Sequence, residues 1–218
     1  MLELKGIRFH PATSEKEILT GVNLRAHLGH PIIIEGSSGS GKTSLVEVIS
    51  GLTTQQKGDI RWNHQYLTAK KRKQLCGVVF QFPERHFLGL TISQELRLGH
   101  KRITTQEQLN VLNKVGLSEI NLKQPPETLS GGQQRRLAIA VQLLKKPRVL
   151  LLDEPTAGLD WSVRKDILDL MEYLSKDQLL IVVTHEAGLF KQITFSSYLL
   201  KNGKIKKQLP LRSINKKI

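Results

Sequence analysis

Cysteine is nearly absent from this chain: Cys76 is the only one. A single thiol excludes an intramolecular disulfide framework and fits a reducing compartment. No metal-ligand or nucleophile pattern surrounds it, so Cys76 reads as a buried structural thiol. Aromatic residues make up only 5% of the 218 residues, which argues against base stacking as the main mode of binding nucleic acid. No apolar run approaches the ~20 residues a helix needs to span a bilayer. The opening residues, Met1-Leu2-Glu3-Leu4-Lys5, lack the charged head and long apolar core of a signal peptide. The expectation is a soluble chain with no repeats and no low-complexity tract. Acidic residues are also scarce: 19 Asp and Glu face 33 Lys and Arg, a net charge of +14. The positive charge concentrates in Lys70-Lys71-Arg72-Lys73 and between Lys201 and Lys217. Solvated surface is the first reading, an anionic membrane surface the second and nucleic acid the third.

The length suits one well-cored domain with room for a subdomain. Strands are expected at residues 2–9, 18–26, 31–35, 58–62, 77–80, 149–152 and 179–184, the last two as buried apolar runs. A hairpin over 198–205 turns at Asn202-Gly203. Helices are expected at 42–49, 70–75, 93–98, 105–115, 133–144 and 161–175. Gly51 stops the first, and Leu109, Leu112 and Val115 form the apolar face of the fourth. Between the strands ending at Phe80 and starting at Val149 the chain reads as an inserted helical subdomain.

One stretch carries explicit chemistry. Gly36-Ser37-Ser38-Gly39-Ser40-Gly41-Lys42-Thr43, followed by Ser44, lies between a buried strand and a helix, the context a phosphate-binding loop requires. The glycines let backbone N–H groups face inward onto phosphate oxygens. Lys42 is placed to reach the β- and γ-phosphates of ATP, and the Thr43 hydroxyl to ligate Mg²⁺. Asp153 ends an apolar strand, where ligands bind in open α/β sheets, and a carboxylate there can hold Mg²⁺. Glu154 beside it is the candidate for polarising an attacking water.

Leu129-Ser130-Gly131-Gly132-Gln133, set after the helical stretch and before Asp153-Glu154, resembles the signature motif of ATP-binding cassette (ABC) proteins. The resemblance covers essentially the whole chain. It implies an α/β P-loop NTPase fold: a RecA-like mixed sheet core, an antiparallel β subdomain and an inserted α-helical subdomain. Residues 1–80 and 147–209 then form the ATP-binding core, 81–146 the signature subdomain and 210–218 a basic tail. Gln81 takes the place of the Q-loop glutamine, contacting Mg²⁺ and the γ-phosphate. Asp160, in Ala157-Gly158-Leu159-Asp160, takes that of the D-loop aspartate, and His185 that of the switch histidine. The family implies a head-to-tail dimer, homo- or heteromeric. Each ATP is gripped by Lys42 and its loop from one protomer and by Ser130, Gly131, Gly132 and Gln133 of the other.

Gln81-Phe82-Pro83-Glu84 with Phe87-Leu88, and the run from Leu129 to Ala140, is similar to the ATPases of energy-coupling factor importers of vitamins and metal ions. His86 stands where those importers carry a second glutamine. Pro11 falls where the family often has an adenine-stacking tyrosine, leaving Phe9 or His10 for that role. The resemblance implies ATP hydrolysis coupled to transport, at the cytoplasmic face of a membrane or an organellar equivalent. The integral membrane partner would dock on a groove that includes Phe82, Phe87 and Leu88, and no nucleic acid is expected. The alternative is a soluble ABC ATPase acting on nucleic acid, ribosomes or iron–sulfur assembly.

Overall fold

The computed structural model describes residues 1–12, 16–100 and 102–208; the basic tail expected at 210–218 lies outside them. Its strands are β1 (Leu2–Phe9), β2 (Leu19–Ala26), β3 (Ile32–Glu35), β4 (Lys57–Trp62), β5 (Gln65–Tyr66), β6 (Cys76–Val79), β7 (Val149–Asp153), β8 (Leu179–Thr184), β9 (Ser196–Lys201) and β10 (Lys204–Lys207). Its helices are α1 (Lys42–Ser50), α2 (Ala69–Leu75), α3 (Ile92–Arg97), α4 (Thr105–Lys114), α5 (Gly131–Leu144) and α6 (Trp161–Ser175).

Two sheets form. An antiparallel sheet runs β2-β1-β4-β5, and a mixed six-stranded sheet runs β10-β9-β3-β8-β7-β6. In the second, β9, β3, β8, β7 and β6 are parallel, and β10 turns back on β9 through Asn202 and Gly203, both at positive φ. Between β6 and β7 the described chain forms only helices and turns.

Period-2 alternation divides the mixed sheet's side chains between two cores. Ile32, Ile34, Val149, Leu151, Leu179 and Ile181 pack with α1 and the antiparallel sheet. Ile33, Leu150, Leu152, Leu180 and Val182 pack with α3, α4, α5 and α6. Both faces being covered explains why β3, β7 and β8 read as unbroken apolar runs. Residues Val149, Leu150, Leu151 and Leu152 are all 0% exposed, and each buried side chain of this kind is worth about 1.5–3 kcal/mol. Ion pairs such as Arg8–Glu17 and Arg61–Asp59 are solvent-exposed, and each is worth at most about 1 kcal/mol. Apolar burial therefore holds the fold.

Three details differ from the sequence reading. The buried face of α4 is Gln108, Val111 and Leu112, continued by Val115, while Leu109 is 39% exposed. Leu109 sits one position off the stripe, and the polar Gln108 takes the inward position. Helix α5 starts at Gly131, two residues before its expected start, because Ser130 caps it: Gln133 N–H donates to Ser130 Oγ and Ser130 N–H to Gln133 Oε1. Within the basic run, Lys70, Lys71 and Lys73 are exposed but Arg72 is buried, donating to the Val48 carbonyl (2.7 Å) and Gln55 Oε1 (2.9 Å).

Candidate functional site

The parallel strands β3, β7 and β8 end on one edge of the sheet, at Glu35, Asp153 and Thr184. There the chain from Gly36 to Gly41 curls into the start of α1. Gly39 and Gly41 take φ of 77° and 98°, values a β-carbon would strain, and Gly41 occupies the N-cap. A β-carbon on Gly36 would strike Ser40 Oγ, and one on Gly41 the Ile18 side chain.

A cleft of about 610 Å³ opens on this edge, and its lining includes Lys42, Thr43, Gln81, Asp153, Glu154 and His185 with residues 37–39 of the loop. Segments separated by more than a hundred residues of sequence thus meet in one cavity. Lys42 Nζ donates to the carbonyls of Gly36 (2.8 Å) and Ser37 (3.2 Å) and lies 3.5 Å from Glu154 Oε1. Thr43 Oγ1 donates to Asp153 Oδ2 at 2.6 Å. This hydroxyl–carboxylate pair is a hard-oxygen donor set of the kind Mg²⁺ takes, so the residues fit that ion. Burial pushes the Asp153 carboxyl above its usual range, opposed by the Thr43 hydrogen bond and Lys42 and reinforced by the Glu154 charge.

Glu154 is the most connected residue of the cleft. Its Oε1 lies 2.9 Å from His185 Nδ1, and its Oε2 accepts from Thr184 Oγ1 (2.9 Å) and the His185 N–H (3.3 Å). Its backbone sits at φ 47°, a left-handed conformation that costs a residue with a β-carbon about 1–2 kcal/mol. Three hydrogen bonds enforce it. Glu154 N–H donates to Val183 O (2.9 Å), and Glu154 O accepts from Ala157 N–H (3.1 Å) and from Arg135 (3.3 Å).

Ser130, Gly131, Gly132, Gln133 and Asp160 do not line this cleft. Ser130 and Gly131 are exposed at the N-terminus of α5, and Asp160 is exposed at the N-cap of α6. The two helix starts are neighbours: a β-carbon on Gly132 would strike Val163 Cγ1 of α6. Of the stacking candidates, Phe9 is 5% exposed and packed in the core, so its ring cannot face a ligand. Ile18 lines the cleft instead. The pattern could not show this, because alternation along β1 fixes where Phe9 points only once the sheet's buried face is known.

Four contacts around the site carry no sequence motif. Arg135 of α5 holds the Glu154 and Ala157 carbonyls. Arg164 of α6 holds the Leu159 carbonyl (2.8 Å) and Glu186 (3.3 Å). Phe82, at φ 53°, packs over Gly158 rather than in an outer groove. Arg85 lies over the Phe82 ring, 4.8 Å from its centre. The one advance signal was helical spacing: Arg135 lies three and four residues before the buried Ala138 and Ile139.

A second cleft, of about 420 Å³, lies between β6, residues 83–87 and α5; it is lined by Leu52, Phe80, Phe87, Val141 and Lys145 among others. Leu88 and Leu90, which follow Phe87 in the chain, are 81% and 78% exposed. Among the described residues no helix is long and apolar enough to cross a membrane.

A phosphate loop at the carboxyl edge of a parallel sheet, with a lysine, a hydroxyl–carboxylate pair and a second carboxylate around one cleft, defines a P-loop nucleotide-binding ATPase. Residues 19–157 match the ABC transporter family. ABC transporter I family member 11, chloroplastic, of Arabidopsis thaliana is 35% identical over 93% of this chain and 78% of its own length. An energy-coupling factor transporter ATP-binding protein of Acetivibrio thermocellus is also 35% identical, over 93% of this chain and 76% of its own. Among solved structures, a dimeric ATP-binding cassette in a post-hydrolysis state with ADP and Pi superposes with a TM-score of 0.83, at 26% identity, over 98% of this chain and 100% of that one. The chain belongs to the ABC transporter family and is its ATP-binding, ATP-hydrolysing subunit.

Proposed function

We propose that the protein is the ATPase of an importer of the energy-coupling type, working as a dimer at a membrane face. The observation that carries this reading is the division of the motifs. Lys42, Thr43, Gln81, Asp153, Glu154 and His185 share one cleft, while Ser130 to Gln133 form a helix start outside it, with Ser130 and Gly131 exposed. A second copy, or another ABC ATPase, turned head to tail would bring its Ser130 hydroxyl and α5 N-terminus onto the γ-phosphate, where a positive helix end and free N–H groups stabilise negative charge. Asp160 at the start of α6 would lie along the same interface.

In this reading residues 36–44 cradle the phosphates, and Lys42 leaves the Gly36 and Ser37 carbonyls for the β- and γ-phosphate oxygens. Thr43, Asp153 and Gln81 would hold Mg²⁺, which neutralises charge on the transferring phosphoryl group. Glu154, fixed by Thr184 and His185, orients a water and accepts its proton as the water oxygen bonds to the γ-phosphorus. The bond from that phosphorus to the β–γ bridging oxygen breaks, giving ADP and phosphate. His185 faces the γ-phosphate and holds the Glu154 carboxylate in place.

The second cleft, with Phe87 at its wall and the exposed Leu88 and Leu90 following Phe87 in the chain, would receive a short helix of the membrane subunit. The similarity to an energy-coupling factor ATPase and the Gln81-Phe82-Pro83-Glu84 segment support the importer type. The exposed Lys70, Lys71 and Lys73 suit proximity to an anionic membrane surface. Glu154→Gln should bind Mg·ATP, remain as a stable dimer by size-exclusion chromatography and turn over at least about a hundredfold more slowly. Near wild-type hydrolysis by that variant would remove Glu154 from the chemistry.

A further inference from the structure

Arg135 joins two parts of the machine that the motifs treat separately. It lies in the second turn of α5, the helix capped by Ser130, and is only 2% exposed. Its two terminal nitrogens do not pair with an acid. Nη1 donates to the Glu154 carbonyl at 3.3 Å and Nη2 to the Ala157 carbonyl at 3.2 Å. Burying a guanidinium against backbone oxygens alone is costly, and among the described residues its Nε has no hydrogen-bond partner. Among charged groups, Glu84 stands close enough to favour its positive charge. One cation therefore touches the turn that holds Glu154 and the segment leading to Asp160. It also lies in the field of the segment that follows Gln81.

We infer that Arg135 is a positioning residue that transmits the position of α5 to the Glu154 carboxylate. Glu154 is in a left-handed conformation, and Arg135 supplies the one side-chain bond to its backbone carbonyl among the three that enforce it. The guanidinium is planar and forked, so both carbonyls can be held only while α5 keeps its distance from the 154–157 turn. A shift of α5 changes that grip. In the dimer proposed above, the α5 N-terminus contacts the ATP of the other site. Through Arg135, engagement of the neighbour's ATP would then set the glutamate of a protomer's own cleft.

The inference rests on the role given to Glu154, and the test separates the two. Met keeps an unbranched apolar stem, shorter than that of Arg, and has no donors, Lys keeps the charge but can reach one carbonyl, and Gln restores an amide N–H pair. R135M should lower kcat by about tenfold to hundredfold, the range expected when a catalytic group is slightly misplaced. ATP affinity should stay within about twofold, and the ATP-concentration dependence should become less cooperative. R135Q should recover part of the loss and R135K less. In a second measurement, R135M is combined with E154Q. If Arg135 acts through Glu154, the double variant still assembles with Mg·ATP as E154Q alone does. Loss of that dimer would place the effect at Ser130 and overturn the inference. So would wild-type kcat in R135M, or, if R135M does not fold, wild-type kcat in R135K. Absence of hydrolysis by the unaltered protein would instead sink the functional reading.

Discussion

Two side chains show how surroundings, not residue type, set chemical behaviour. Glu154 is held on both carboxylate oxygens and on both sides of its peptide, by the end of β8 at Val183, Thr184 and His185, by Arg135 of α5 and by Ala157 of its own turn. Cys76 is the opposite case. It is buried against α1 with its thiol directed at the Ile49 carbonyl, and burial pushes its pKa up to about 12, with the nearby Arg72 charge pulling the other way. Thiolate is the reactive form, so raising the pKa far above ambient pH keeps the group neutral and inert. At pH 8 the folded protein should resist iodoacetamide over hours. Added denaturant should expose a thiol of ordinary acidity that alkylates within minutes. Rapid labelling of the native protein, read by mass spectrometry, would contradict the burial described.

At this scale the cleft residues were legible, because each belongs to a spaced pattern whose chemistry demands its type. Arg135 was not, since its partners are main-chain carbonyls and carbonyls leave no mark in a sequence. Phe82 was misjudged for a related reason. An aromatic residue in a polar loop looks like a docking surface until the loop folds it over Gly158.

Elements are where local rules and packing meet. The boundaries of β1, α6 and β8 match the sequence reading, and Gly51 ends α1 in a left-handed cap. The start of α5 was set by a capping box that the signature residues Ser130 and Gln133 form, so the motif itself initiates the helix. The two-residue β5 was too short to carry a pattern. The junction of α5 and α6 has a sharper requirement. Gly132 is buried, and any β-carbon there meets Val163. Gly132→Ala should therefore destabilise the protein by about 1–3 kcal/mol through overpacking, even though alanine favours helix. Val163→Ala in the same chain should return most of the loss, a coupling measurable by urea unfolding of the four proteins of a double-mutant cycle. Additive effects would mean that the helices do not meet there.

For the molecule as a whole, the segment from Phe80 to Phe87 contributes to both clefts. Gln81 lines one and Phe80, Pro83 and Phe87 line the other. A partner seated in the second cleft would press on the segment that also carries Gln81 into the first. Leu88→Glu with Leu90→Glu should abolish co-purification of a membrane subunit while leaving ATP hydrolysis by the free protein within about twofold, because these side chains are solvated and away from the phosphates. Retained co-purification would move the docking surface elsewhere.

The order of strands in the mixed sheet also bears on how the chain is made. Strand β3, which leads into the phosphate loop, is flanked by β8 and β9, both formed from residues beyond 178. While the ribosome delivers the chain from its N-terminus, Ile32, Ile33 and Ile34 have no sheet neighbour on either side until the last fifth of the sequence emerges. A nascent chain stalled before β8 has the complete phosphate-loop sequence but no strand to anchor it. Such a fragment exposes two bare edges, the condition that favours capture by chaperones or self-association. Nucleotide can therefore stabilise the chain only once β8 and β9 have been made, and ATP binding reports the closing of the sheet around β3.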